Sequence, residues 1–178
     1  MEKTATLVKE STRVELIKRL QMGGNILYFR HATPANTTDP DAELGEEGKN
    51  NANKLKTFLA NHNIKTHSLV SASPLKRARQ TAEIAFGSKN LIVDPSLAQM
   101  NVLLEDQSNA DELFMKQHLT RILESKPEKD HNVVLVGHHF TFGGRISGIP
   151  YLGVVVIEPK GNGNSYEIIT TGEPLTEN

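Results

Sequence analysis

Two histidines, His31 and His138, and two arginines, Arg77 and Arg79, are the side chains whose type and setting point to chemistry. Each histidine closes a short apolar run. Ile26-Leu27-Tyr28-Phe29 leads into Arg30-His31, and residues 132–137 (NVVLVG) lead into His138-His139. Runs of this kind, the first bounded by Gly23-Gly24 and Pro34, read as buried strands. Open α/β sheets place their ligand crevice at carboxyl strand ends. Two such strands lying side by side in parallel, about 5 Å apart, bring both imidazoles to one pocket. The stretch 73–82 (SPLKRARQTA) opens a helix after another strand end and carries Arg77 and Arg79 to the same rim. Arginine grips phosphate as a fixed planar fork and stays charged at any working pH. The combination suits a phosphate dianion.

Plainer alternatives stand beside each residue. A basic side chain such as Arg79 is commonly a solvated helix face. A His138-His139 pair suggests metal, but adjacent side chains of an extended chain point to opposite faces, and no third ligand lies at a familiar spacing. No metal and no cofactor is therefore expected. His62, His67, His118 and His131 fall in helix or loop stretches and read as surface residues. Gly161-Asn162-Gly163 is a turn and not a phosphate cradle, because it does not run from strand into helix.

The elements that must position these side chains follow from periodicity. Ser11 or Thr12, with Glu15, forms a helix-capping pattern. Val14, Leu16, Ile17 and Leu20 then make an apolar face that ends at Gly23-Gly24. Residues 35–45 are a polar loop at the crevice mouth. A helix runs to about Asn61 with Ala52, Leu55, Phe58 and Leu59 buried. Residues 66–71 form a second strand, and Ser73-Pro74 suits an N-cap followed by proline at the first helical position. Ile92-Val93 is a short strand or extended piece, 97–109 is irregular or mixed, and 111–124 is a helix with Leu113, Phe114, Leu119, Ile122 and Leu123 as its apolar set. Residues 154–157 and 166–170 flank a Gly-Asn turn and predict a closing hairpin. Alternating strands and helices give an α/β fold, a three-layer α/β/α sandwich with a mostly parallel central sheet and a C-terminal β-hairpin. The expected organisation is one domain over residues 1–178, with residues 1–22 as a helical lead-in.

Composition narrows the function classes. Lys+Arg 20 against Asp+Glu 21 leaves the chain near neutral, which argues against a general nucleic-acid or membrane-surface binder. There is no cysteine, so a thiolate metal site, a disulfide scaffold and a cysteine nucleophile are excluded. No run reaches membrane-spanning length and the start lacks an export-signal core. As written the chain reads as cytoplasmic; an extracytoplasmic protein whose signal peptide had been removed would look the same.

Taken together, Arg30-His31 after the first strand, Ser-Pro-Leu-x-Arg-Ala-x-Gln-Thr-Ala at 73–82 and Val-Gly-His at 136–138 resemble the histidine phosphatase superfamily, with its phosphoglycerate-mutase-like fold, in a small branch-1-type form. The motifs occur in that family's order, and the resemblance covers about residues 24–171. It implies that His31 is a nucleophile forming a phosphohistidine. Arg30, Arg77 and His138 then grip the phosphoryl oxygens, and His139 is a further phosphate-binding candidate. Arg77 holds the motif position, and Arg79 falls at a variable one. The family usually has Gly and often Glu after Arg-His, where this chain has Ala32 and Thr33. A proton-donating Asp after the second histidine is replaced by His139. Glu105 is the best candidate for that acid, Asp106 the second, with Asp39 and Asp41 further off.

The leading expectation is a metal-independent phosphomonoesterase of the histidine acid phosphatase type. Its substrate is a phosphorylated small molecule or phosphoprotein, and neither nucleic acid nor membrane is a partner. A protein phosphohistidine phosphatase and a catalytically silent phosphate-binding domain are the alternatives; a cofactor-dependent mutase fits a chain this short less well. Oligomeric state is open in the sequence.

Overall fold

The computed structural model describes residues 6–87, 89–106 and 109–177. Residues 107 and 108 of the expected irregular segment, and 1–5 and 178 at the ends, lie outside this set. Among the described residues the order is α1 (Arg13–Met22), β1 (Ile26–Arg30), α2 (Glu46–Asn61), β2 (Thr66–Ala72), α3 (Lys76–Phe86) and β3 (Leu91–Val93). There follow α4 (Ala110–Glu124), β4 (Asn132–Gly137), β5 (Val154–Pro159) and β6 (Tyr166–Gly172).

The six strands form one sheet in the order β3-β2-β4-β1-β5-β6. The first four are mutually parallel, β5 runs antiparallel to β1, and β6 runs antiparallel to β5. The chain moves outward from β1 to β2 and β3, then returns through α4 to insert β4 between β2 and β1. That reversal opens a crevice at the carboxyl ends of β1 and β4. Both faces of β1 are covered. Leu27 and Phe29 join the core shared with α1, α2 and α3, whereas Ile26 and Tyr28 join the core on the α4 side. This is why β1 and β4 are continuous apolar runs instead of alternating ones.

Thr12 caps α1 by accepting from the Glu15 N–H, and α2 buries Ala52, Leu55, Phe58 and Leu59. Several local expectations need correction. Val14 on α1, and Leu113 and Phe114 on α4, are exposed, because no layer packs outside those helix faces. α3 begins at Lys76 with Leu75 at its N-cap position, so Ser73 does not cap it. The segment 97–109, expected to be irregular or mixed, holds one 3-10 turn, Met100–Leu103, and overlaps another, Pro95–Ala98, so that expectation needs no correction. His118 is more than a surface residue: its Nε2 lies 2.8 Å from the carboxylate of Asp94, which is buried.

The outer edge of the hairpin is covered by the chain's own start. Glu10 bridges to Thr171, and Ser11 N–H donates to the Thr171 carbonyl. No described helix is long and apolar enough to cross a membrane.

Candidate active site

The β1–β4 register pairs Phe29 with Val136 and Arg30 with Gly137. The ladder is prolonged by a hydrogen bond from His31 N–H to the Gly137 carbonyl at 2.9 Å. His31 and His138 therefore leave neighbouring strand ends together, with ring centroids 5.3 Å apart.

Hydrogen bonding settles the His31 tautomer. Its Nδ1 lies 2.7 Å from the Ala32 carbonyl, which can only accept, so Nδ1 carries the proton. Arg77 Nε donates to His31 Nε2 at 3.1 Å, so that nitrogen presents its lone pair. Ala32 is fully buried and stands outside the positive-φ residues. Alanine in place of the family's usual glycine thus requires no left-handed backbone here. The turn is pinned from α3, where Thr81 Oγ1 accepts from Ala32 N–H and donates to the Arg77 carbonyl.

The arginines are held by main-chain carbonyls. Arg77 Nη1 donates to Pro40 at 2.8 Å and Arg30 Nη1 to Ile149 at 2.9 Å. Tyr151 lays its ring 4.1 Å from the Arg30 guanidinium carbon. Arg30 Nε is buried without a hydrogen-bond partner among the described residues.

Electrostatics follow from this packing. Burial pushes His31 down to about 4; the Ala32 hydrogen bond works against that, while His138, Arg77 and Arg30 add to it. Burial, then Arg77 and Arg30, lowers His138 to about 4 as well. Both rings are neutral at physiological pH beside two permanent cations. No carboxylate is among the groups that shift either histidine.

The structure thus brings Arg30, His31, Arg77 and His138 together. His139 is exposed and meets this group only through a polar cavity of about 360 Å³ that it shares with Arg30, Glu10 and Glu173. Glu105 is exposed, and its backbone carbonyl accepts from Lys116 Nζ. Asp106 faces a separate cavity beside α4. Arg79 is half-buried, its Nε has no hydrogen-bond partner among the described residues, and it takes no part in the link between Arg77 and His31. Asp41 accepts from the Lys76 N–H at the start of α3, next to the Pro40 carbonyl that holds Arg77. Among the described residues no three His, Asp or Glu side chains converge as metal ligands.

Two site residues escaped the sequence reading. Ser73, fully buried at the end of β2, places its Oγ 2.7 Å from His138 Nε2. Tyr151 lies far along the chain, in no motif, and its ring centroid is 5.7 Å from that of His31. Only the β2–β4 neighbour relation reveals the first, and nothing local signals the second.

The model of the histidine phosphatase superfamily (branch 1) matches residues 26–113, which include Arg30, His31 and Arg77. Over that span, just under half of its length, the chain is similar to the histidine phosphatase superfamily. His138 lies beyond the matched span, so its place beside His31 is known from the fold alone. No curated protein matches the sequence. Among solved structures, the protein histidine phosphatase SixA complexed with tungstate is 16% identical, with a TM-score of 0.59 over 84% of this chain and 97% of that one. A mycobacterial glucosyl-3-phosphoglycerate phosphatase in complex with VO3 is 18% identical, with a TM-score of 0.57 over 82% and 97%. A phosphoserine phosphatase from Entamoeba histolytica is 14% identical, with a TM-score of 0.55 over 83% and 95%. Solved phosphatases named for different substrates thus share this fold.

Proposed function

We propose that the protein is a metal-independent phosphatase that works through a phosphohistidine on His31. The observation that carries this reading is the His31 ring itself, neutral, with Nδ1–H donated to Ala32 and the Nε2 lone pair turned to Arg77. A phosphoryl group takes the position of Arg77 Nε at that lone pair. Nε2 then forms a bond to phosphorus as the bond to the leaving group breaks, and the leaving group keeps that electron pair. Water attacks phosphorus in the second step and loses a proton to solvent; the P–N electrons return to Nε2. Arg30, Arg77 and His138 stabilise the charge that spreads over the phosphoryl oxygens. The unpartnered Arg30 Nε–H is a donor that such an oxygen satisfies.

A second reading has its own support. The charges acting on both histidines come from Arg77 and Arg30, with His138 also acting on His31, and no carboxylate is among them. A site of that kind favours substrates whose leaving group needs no strong acid, including protein phosphohistidine and aryl phosphates.

Hydrolysis of p-nitrophenyl phosphate in EDTA by wild type and His31→Ala tests the first reading. Activity that persists in EDTA and vanishes in the variant is expected, together with an acid-labile phosphoenzyme. Loss to EDTA alone rejects the metal-free route. Rates on glycerol phosphate and on a phosphohistidine peptide separate the two readings.

A further inference from the structure

We propose that the buried hydroxyl of Tyr28 is a positioning residue for His138, setting the second histidine of the site through its main chain. The functional consequence rests on the phosphatase reading above; the geometry does not.

His138 is the first residue past β4, where the strand ladder has ended, since the register closes at Arg30 and Gly137. The Gly137 carbonyl still takes the His31 N–H, but no strand neighbour among the described residues takes up the N–H and carbonyl of His138 itself. The Tyr28 phenol supplies both missing partners: its O–H donates to the His138 carbonyl at 2.9 Å, and its oxygen accepts from the His138 N–H at 3.0 Å. Tyr28 is fully buried, and burial pushes its phenol well above the usual value, so the group remains a neutral O–H at every relevant pH. Its ring is braced edge-on by Phe142, with centroids 5.7 Å apart.

Gly137 is what admits this contact. A Cβ there would lie 2.4 Å from the phenol oxygen, nearer than any side chain tolerates. The glycine of Val-Gly-His is therefore required in this chain by the tyrosine on the adjacent strand. At the other end of the residue, Ser73 Oγ fixes the His138 ring at Nε2. Buried groups thus anchor His138 at three atoms. A tyrosine in a sheet core normally needs one polar partner for its hydroxyl. Here both hydrogen bonds go to one residue, and that residue belongs to the site.

The test is a double-mutant cycle of Tyr28→Phe and His138→Ala, read by orthovanadate affinity, by steady-state kinetics and by NMR titration of the His138 ring. In the wild-type background, Tyr28→Phe should weaken vanadate binding about 10-fold and lower kcat by a similar factor, with KM nearly unchanged. The same change in the His138→Ala background should have less than about a 2-fold effect. The His138 ring should also titrate closer to an ordinary imidazole in Tyr28→Phe, as the loosened peptide lets water reach it. Equal losses in both backgrounds overturn the proposal, as does a drop in melting temperature with affinity, kcat and ring titration intact. If Tyr28→Phe does not fold, Gly137→Ala displaces the phenol from the other side and should reproduce the vanadate and titration changes; unchanged values there overturn the proposal equally. A wild type that neither hydrolyses phosphate esters nor binds vanadate refutes the phosphatase reading, and the ring titration still decides the positioning.

Discussion

His31 is held from both sides in one protonation state, and this gives it an unusual pH range. In the proposed reaction the attacking form is the neutral ring, and burial pushes the ring's pKa down to about 4 from an ordinary 6.5. The neutral form therefore dominates above about pH 5. After correction for the second ionisation of the substrate phosphate, kcat/KM should stay flat from about pH 8 down to about pH 5 and fall below it. An acid limb near 6.5 would show that His31 is not desolvated as described. Arg77 uses Nε for His31 and Nη1 for Pro40, two directions fixed by one plane. A lysine keeps the charge and loses the fork. Arg77→Lys should lower kcat by about 10²-fold or more, in line with losing one preorganised charge donor; near-wild-type turnover would make Arg77 a bystander.

Elements act on the site through close approach. The start of α2 is pressed against the turn that follows His31, where a Cβ on Gly48 would meet the Thr33 carbonyl oxygen at 2.1 Å. Gly48→Ala must push α2 and that turn apart. It should cost about 1–3 kcal/mol of stability and lower the turnover of the molecules that remain folded. At the opposite ends of β1 and β4 lies a buried pair, Asn25 and Asn132, joined at 2.8 Å. Asn132 also donates to the carbonyls of Leu20 and Lys65. Asn132→Ala removes three side-chain hydrogen bonds, while the Leu20 and Lys65 carbonyls keep main-chain donors, the N–H groups of Gly23 and of residue 132. It should also cost about 1–3 kcal/mol, yet turnover per folded molecule should be unchanged. Urea titration with activity normalised to the folded fraction separates the two cases; equal effects on turnover would mean that the site responds to general loosening and not to α2.

Over the whole molecule the two lowered histidines tie stability to pH. Both sit near 4 in the folded chain and near 6.5 when unfolded, so between those values the unfolded chain binds more protons. Stability is then fully present above about pH 6.5 and falls as pH drops toward 4, by at most about 1.4 kcal/mol per pH unit for each group. His138 is half-buried and contributes less than this ceiling. His31→Gln should flatten the acid limb of the stability profile by up to one proton, as read by denaturant unfolding at pH 7, 6 and 5. Parallel profiles for variant and wild type would refute the shift. Phosphate or vanadate should recover part of the lost stability in the wild type, because an anion bound beside Arg30 and Arg77 favours protonated rings.

Chain-local physics made much of this protein legible. The runs 26–29 and 132–137 read as buried strands from their flanking turns, the buried face of α2 followed from its apolar spacing, and Thr12 with Glu15 marked the start of α1. Arg30, His31, Arg77 and His138 were legible as strand-end and helix-start residues before any sheet order was known. Partners across the sheet were not. Arg77 reaches His31 over 46 residues, Ser73 reaches His138 over 65, and Tyr28 reaches His138 over 110. Periodicity shows which residues are apolar, but not which layer arrives to cover them, so Val14, Leu113 and Phe114 read as core and are exposed. Local geometry sets the spacing of side chains within a few turns of chain. The meeting of β2, β4 and β1 is set by the packing of both cores at once, and only that placed a serine and a tyrosine hydroxyl on the second histidine.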